Sequence, residues 1–163
     1  MMEDKQIMLS VVVCTHNRAK LLREALGSIF RQRVDFTMEV IVSDDCSTDN
    51  TVSMLKELKE NHSMLRINVT PENYGSGGNW ASAMKLVQGK YVAFLDDNDL
   101  WSDENRMQTL VDCLEANPDI DVVYTDGFTF NKRGKKNHIC GQKRIFQTCR
   151  RCGEANNLAY HWT

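Results

Sequence analysis

Tyr91-Val92-Ala93-Phe94-Leu95-Asp96-Asp97-Asn98-Asp99-Leu100-Trp101 is the stretch on which the fold turns. Residues 91–95 form an apolar run that reads as a strand buried on both faces. The run ends in three aspartates and an asparagine within four positions. Carboxylates crowded at one strand end repel unless a cation sits among them. A divalent metal with oxygen ligands meets that need. A solvated acidic turn capping the next helix is the competing account. The rest of the chain decides between the two.

Working outward, 8–13 and 38–42 are β-branched, nearly continuous apolar runs. Such runs read as buried parallel strands. Residues 65–69 alternate more and read as a strand nearer an edge, ended by Pro71. Residues 120–125 read as a further strand. Between these lie helical stripes. Leu21, Leu22, Ala25, Leu26, Ile29 and Phe30 share one face over 20–32. Val52, Leu55 and Leu58 follow an expected cap at Ser47 or Thr48, with Asp49 in the first turn. Residues 72–78 read as a glycine-rich turn leading into a helix through Trp80, Met84 and Val87, stopped by Gly89. Met107, Leu110, Val111 and Leu114 mark a last helix, capped by Ser102. Alternation at this spacing predicts an α/β fold, a doubly wound, mainly parallel sheet flanked by helices. Thr15-His16-Asn17, Asp44-Asp45 and Asp96 to Asp99 then all lie at carboxyl ends of strands, where open α/β sheets bind ligands. That co-location favours a site over an isolated acidic turn. Within it, side-chain-to-backbone bonds from Asn17 are expected to fix the first turn. Trp101 is expected to be a core anchor.

The 163 residues suffice for one sizeable core, and a net charge of −2 offers no general attraction to nucleic acid or acidic membranes. The polar, acidic start Met1-Met2-Glu3-Asp4-Lys5 is no signal peptide, and no apolar run spans a bilayer, so the expected location is the cytoplasm, with no membrane anchor. Six cysteines in such a chain argue against a disulfide framework. Cys14, Cys46 and Cys113 read as small apolar fillers of core elements. Cys149-Arg150-Arg151-Cys152, with Cys140, His138 and His161, has a loose zinc-like spacing but no second CxxC, so free thiols are the favoured reading and a structural zinc the alternative. Asn131 to Lys136 reads as a basic hairpin tip, and the chain from 127 onward as irregular.

A dinucleotide fold needs G-x-G-x-x-G after the first strand, where this chain has Thr15-His16-Asn17-Arg18-Ala19. No P-loop is present either. Val11-Val12-Val13-Cys14-Thr15-His16-Asn17-Arg18 instead resembles the opening strand of family 2 glycosyltransferases of the GT-A fold. Val40 to Asp49, Asn73-Tyr74-Gly75, and Gly89 to Trp101 are similar to further motifs of that family, in its order.

The resemblance implies a nucleotide-diphospho-sugar donor, a uridine one favoured, and transfer of its sugar to an acceptor hydroxyl with inversion. It places Thr15 and His16 beside the base, His16 where the family often has a stacking tyrosine, and gives Asp45 a hydrogen bond from the base. Asp96 would face the ribose or the metal, with Asp97 beside it in the donor site. Manganese or magnesium would sit on Asp96, Asn98 and Asp99, Asn98 replacing the family's usual second aspartate. Trp80 stands where the family often has an arginine. The family's downstream catalytic base has no match here, so the chain resembles a donor-binding part, residues 1–126, followed by an incomplete acceptor region, 127–163. The acceptor would be a saccharide or a lipid-linked one. Donor binding with little transfer is the expectation. The alternative is a non-catalytic nucleotide-binding or assembly module, whose exposed sheet region would pair with a partner or, as a homodimer, with a second copy. A nucleotidyltransferase would want a glycine- and arginine-rich loop after the first strand, which is absent.

Overall fold

The computed structural model describes residues 6–125 throughout and, beyond them, three short strands. The chain divides into two compact units, Met1–Met107 and Gln108–Thr163.

The first unit is built on four parallel strands in the order β3-β2-β1-β4. β1 (Leu9–Thr15) and β2 (Met38–Asp44) are central, and every residue in them except Cys14 is buried. Their β-branched side chains suit a pleated surface covered on both sides. The register sets Val11 beside Val40 and Thr15 beside Asp44. β3 (Leu65–Val69) is an edge strand, as its alternation predicts. β4 (Tyr91–Phe94) departs from expectation. Among the described strands it is the other edge of the sheet, its residues are only partly covered, and Phe94 is 58% exposed. An apolar run announces side chains that seek cover, but does not reveal whether a second strand lies alongside.

α1 (Ala19–Phe30) buries Leu22, Ala25, Leu26 and Ile29, while Leu21 faces solvent. α2 (Thr51–Asn61) packs against α1 and buries Met54 and Leu55. α3 (Gly75–Met84) lies on the sheet face presented by Val12 and Ile41, joined there by Ala83, Trp80 and Cys14. By the alternation of the pleat, Val11, Val13, Val40 and Val42 face the other way, and all are fully buried. α4 (Arg106–Ala116) crosses the boundary between the units.

Three helix starts differ from the sequence reading. α2 begins at Thr51, beyond the expected Ser47 or Thr48 cap. Those two residues are engaged with Asp44 and Asn17, and Asp49, outside the helix, accepts bonds from Thr51. α3 begins at Gly75, so the glycines expected in a turn form its first turns. α4 begins at Arg106, past Ser102, where Asp103 accepts from the Asn105 N–H at 2.9 Å and Gln32 accepts from the Met107 N–H at 3.0 Å.

β4 is set in place from the end of the sheet opposite its acidic loop. Ser10 and the Gln88 N–H both donate to Glu39, at 2.6 and 2.9 Å. Arg66 donates to Glu39 at 2.6 Å and to the Leu86 carbonyl at 2.9 Å. Glu39 is 3% exposed, and the Gly89 N–H bonds Ser10 Oγ at 2.9 Å. A side chain on Gly89 would bring Cβ within 2.6 Å of the Ser10 nitrogen. The connection from α3 thus lies flat on β1, and β4 enters in register beside it.

In the second unit β5 (Ile120–Thr125) pairs antiparallel with β8 (Ile145–Cys149), and β6 (Phe128–Phe130) with β7 (Lys136–His138). Three strands therefore occupy a stretch whose sequence reads as irregular, because segments this short carry too few residues to show a period. The basic tip at 131–135 and the side chains of the zinc-like set lie outside the described residues. No described helix is long and apolar enough to cross a membrane.

Candidate functional site

The site lies at the carboxyl ends of β1, β2 and β4. Leu95, just past β4, is anchored by its N–H to the Val12 carbonyl and is buried. The chain then alternates: Asp96 is exposed, Asp97 is buried at 4%, and Asn98 and Asp99 are exposed. A turn closed by the Asp99 N–H on the Asp96 carbonyl, at 3.0 Å, folds this loop.

Asp97 is turned inward. Thr15 Oγ1 donates to its Oδ2 at 2.9 Å, and Arg18 Nη1 to its Oδ1 at 2.9 Å. Both oxygens are therefore taken by groups at the end of β1. Asp99 differs. Partial burial, with the charges of Asp96 and Asp97 added, pushes its carboxyl above the ordinary range.

β2 supplies the other side. The Asp45 N–H bonds the Thr15 carbonyl at 2.9 Å, which stitches the two strand ends together. Asp45 is 4% exposed, and its Oδ1 accepts from the Tyr74 N–H at 2.8 Å and from Thr70 Oγ1 at 3.1 Å. Its carboxylate thus fixes the entry to α3. His16 Nδ1 lies 2.7 Å from the Asp45 carbonyl oxygen, which can only accept, so Nδ1 carries the proton. In the neutral ring Nε2 is then the acceptor, with the side-chain amides of Asn17 and Asn73 at 3.0 and 3.5 Å. The neutral tautomer is thereby fixed by its neighbours.

Asn17 adopts a left-handed φ of 53°, a conformation that asparagine tolerates better than most residues. Its Oδ1 accepts from the Thr48 and Asp49 N–H groups at 2.8 and 3.2 Å, the turn-fixing role expected of it. Its own N–H bonds Ser47 Oγ at 2.8 Å, and Asp44, fully buried, accepts from the Ser47 N–H at 2.8 Å. Cys46 sits in this loop at φ 58°, so it fills a turn and no core element. Cys14 is half-buried in the sheet; burial above all, with Asp45, Asp96 and Asp97 adding to it, pushes its thiol up to about 12. Trp101 is buried, as a core anchor should be, and its backbone N–H donates to Ser28 Oγ at 3.1 Å. Trp80 packs edge-on against Phe94, with centroids 5.5 Å apart.

The strand ends thus gather all seven residues singled out in the sequence. Thr15 meets Asp97, and His16 meets the Asp45 backbone, directly. Asp96, Asn98 and Asp99 stay exposed, and among the described residues no three acidic, histidine or cysteine side chains converge on one point. Two exposed carboxylates and an amide still fit a hard cation that takes its other ligands from phosphate oxygens and water. Three contributors carry no signal in the linear pattern. Arg18 pairs with a residue 79 positions away. Thr70 braces Asp45. Asn79, 2% exposed on α3, donates to the carbonyls of Ser43 and Thr15 at 2.9 and 3.4 Å.

The profile of glycosyl transferase family 2 matches residues 10–161. A Campylobacter jejuni protein, the GalNAc(5)-diNAcBac-PP-undecaprenol beta-1,3-glucosyltransferase, is 40% identical over 94 residues, 56% of this chain and 29% of that one. Among solved structures, the mannosyltransferase PcManGT of Pyrobaculum calidifontis, in complex with GDP-Man and Mn2+, superposes with a TM-score of 0.63 at 29% identity. That match covers 72% of this chain and 34% of PcManGT. S. aureus TarS 1–349 in complex with UDP-GlcNAc gives 0.62 at 29% identity, over 70% of this chain and 33% of TarS. The chain spans about a third of the length of the curated relatives it matches.

Proposed function

The chain belongs to glycosyl transferase family 2 and has the GT-A type of sheet, and from that premise we propose that it binds a nucleotide-diphospho-sugar, a uridine one favoured, at the carboxyl ends of β1, β2 and β4. The observation that carries this reading is the joining of three strand ends at Thr15. Its hydroxyl holds Asp97 and its carbonyl holds the Asp45 N–H, each at 2.9 Å. Open α/β sheets bind ligands at such a place.

In this reading Thr15, His16 and Asp45 border the base, with the imidazole offering a flat face where a tyrosine would stack. Asp45 accepts from the base while its Oδ1 keeps the α3 entry in position. Asp96 meets the ribose or the metal. Asp97 belongs to the same pocket through its hold on Thr15. Manganese or magnesium would be held by Asp96, Asn98 and Asp99. When bound, the ion supplies positive charge to the departing nucleotide. In the parent reaction the sugar passes to a hydroxyl of a saccharide or lipid-linked acceptor with inversion. The residues described here serve the donor, and no catalytic base is assigned among them.

Calorimetric titration with a panel of nucleotide sugars, with and without manganese, tests the reading. Uridine sugars binding with manganese dependence is the expected result. No heat with any nucleotide sugar would overturn it and leave an assembly module, to which the exposed Phe94 on the β4 edge would suit.

A further inference from the structure

The acidic loop carries its own cation. Arg18 Nη1 lies 2.9 Å from Asp97 Oδ1, with the arginine side chain 54% exposed and the carboxylate 5%. The buried member is fixed; the exposed member keeps about half its surface in solvent. Arg18 directly precedes α1, and its carbonyl accepts the Leu22 N–H at 3.0 Å. The preceding residue, Asn17, is pinned to the Ser47 and Thr48 loop. A braced turn therefore presents the guanidinium. Asp97 takes one of its five N–H donors, and no other side-chain partner occurs among the described residues. Trp80 carries no charge at the helix position where the family resemblance expects an arginine.

We propose that Arg18 is the site's resident counter-cation, a positioning residue that sets the order in which metal and diphosphate are accepted. Before any ligand arrives it offsets the acidic loop through Asp97. A lone divalent cation approaching Asp96 and Asp99 is repelled by it. A diphosphate is attracted by it, and once there supplies the negative charge that lets the cation follow. The inference rests on the nucleotide-sugar reading and gives a role to a residue which that reading leaves without one.

The test is Mn2+ binding without nucleotide, read from the electron paramagnetic resonance of the free ion at low salt, for wild type, Arg18→Lys and Arg18→Gln. Removing the positive charge paired with Asp97 in this loop should tighten Mn2+ binding about threefold to tenfold in Arg18→Gln. Arg18→Lys, which keeps the charge, should match wild type. Uridine diphosphate without metal should shift the opposite way and bind Arg18→Gln more weakly. A purely structural role would weaken both ligands together. If Arg18→Gln fails to fold because Asp97 is left unpaired, Asp97→Asn with and without Arg18→Gln makes the same comparison with no buried charge. Mn2+ binding that is unchanged or weaker on loss of the arginine overturns the inference. A wild type that binds neither Mn2+ nor uridine diphosphate overturns the site reading instead.

Discussion

Thr15 Oγ1 donates to Asp97 Oδ2 at 2.9 Å, closing a separation of 82 residues. The hydroxyl belongs to the end of a central strand and the carboxylate to the loop after an edge strand. Among the described residues β4 pairs with β1 alone, so this bond and the Arg18 pair help hold the acidic loop where the sheet hydrogen bonds stop. Thr15→Val keeps the shape and removes the donor. A buried charged acceptor left short of one partner costs about 1–3 kcal/mol. Urea denaturation should show a loss of that size for Thr15→Val and little change for Thr15→Ser.

Two glycines separate crowding from conformational freedom. At Gly89 a Cβ would meet Ser10 N at 2.6 Å and the Leu9 carbonyl carbon at 2.8 Å, both backbone. Backbone cannot swing aside, so Gly89→Ala should cost about 1–3 kcal/mol, as overpacking does. At Gly77, inside α3, a Cβ meets nothing within 4 Å. Gly77→Ala should stabilise by about 0.5–1 kcal/mol through helix propensity. Thermal melts of the two variants should move in opposite directions.

Much of this architecture is legible before folding. The apolar runs of β1 and β2 fall where the periodicity sets them, as do Leu22, Ala25, Leu26 and Ile29 of the α1 stripe, though not Leu21, and the fold brings the polar ends of three strands together as a candidate site. What the pattern hides is pairing. Ser47 and Thr48 look like caps for α2 because serine and threonine favour caps, yet Asp44 and Asn17 claim them first. Gly75, Gly77 and Gly78 look like a turn because glycine disfavours helix, yet packing of Asn79 and Ala83 in the same element overrides propensity. Arg18 looks like an ordinary loop charge until the fold brings Asp97 beside it.

Glu39 should contribute to the acid limb of stability. Burial pushes its carboxyl up, but bonds from Ser10, Arg66 and the Gln88 N–H together outweigh it and hold the group below its ordinary 4.5. With the folded value below the unfolded one, the unfolded chain takes the proton first. The stabilisation is therefore complete above about pH 4.5 and drains away as pH falls through the folded value. Glu39→Gln should flatten the decline of the urea midpoint below pH 5. An unchanged slope would remove Glu39 from the account.

Cys14 should be inert. With its thiol pushed up to about 12, only about one molecule in ten thousand carries the thiolate at pH 8. Iodoacetamide followed by mass spectrometry should leave Cys14 unmodified in the native protein and label it readily in urea. Rapid native labelling would show that the floor of the sheet near Asp45 and Asp96 is open to solvent.

The proposed nucleotide site lies where β1, β2 and β4 end. Amide chemical-shift mapping of the 15N-labelled chain with uridine diphosphate and Mg2+ tests it most directly. Shifts should concentrate at residues 15–18, 44–47, 73–75 and 96–99, with the Glu39 and Arg66 network at the opposite end of the sheet unmoved. Shifts centred on that network, or none at saturating nucleotide, would contradict it.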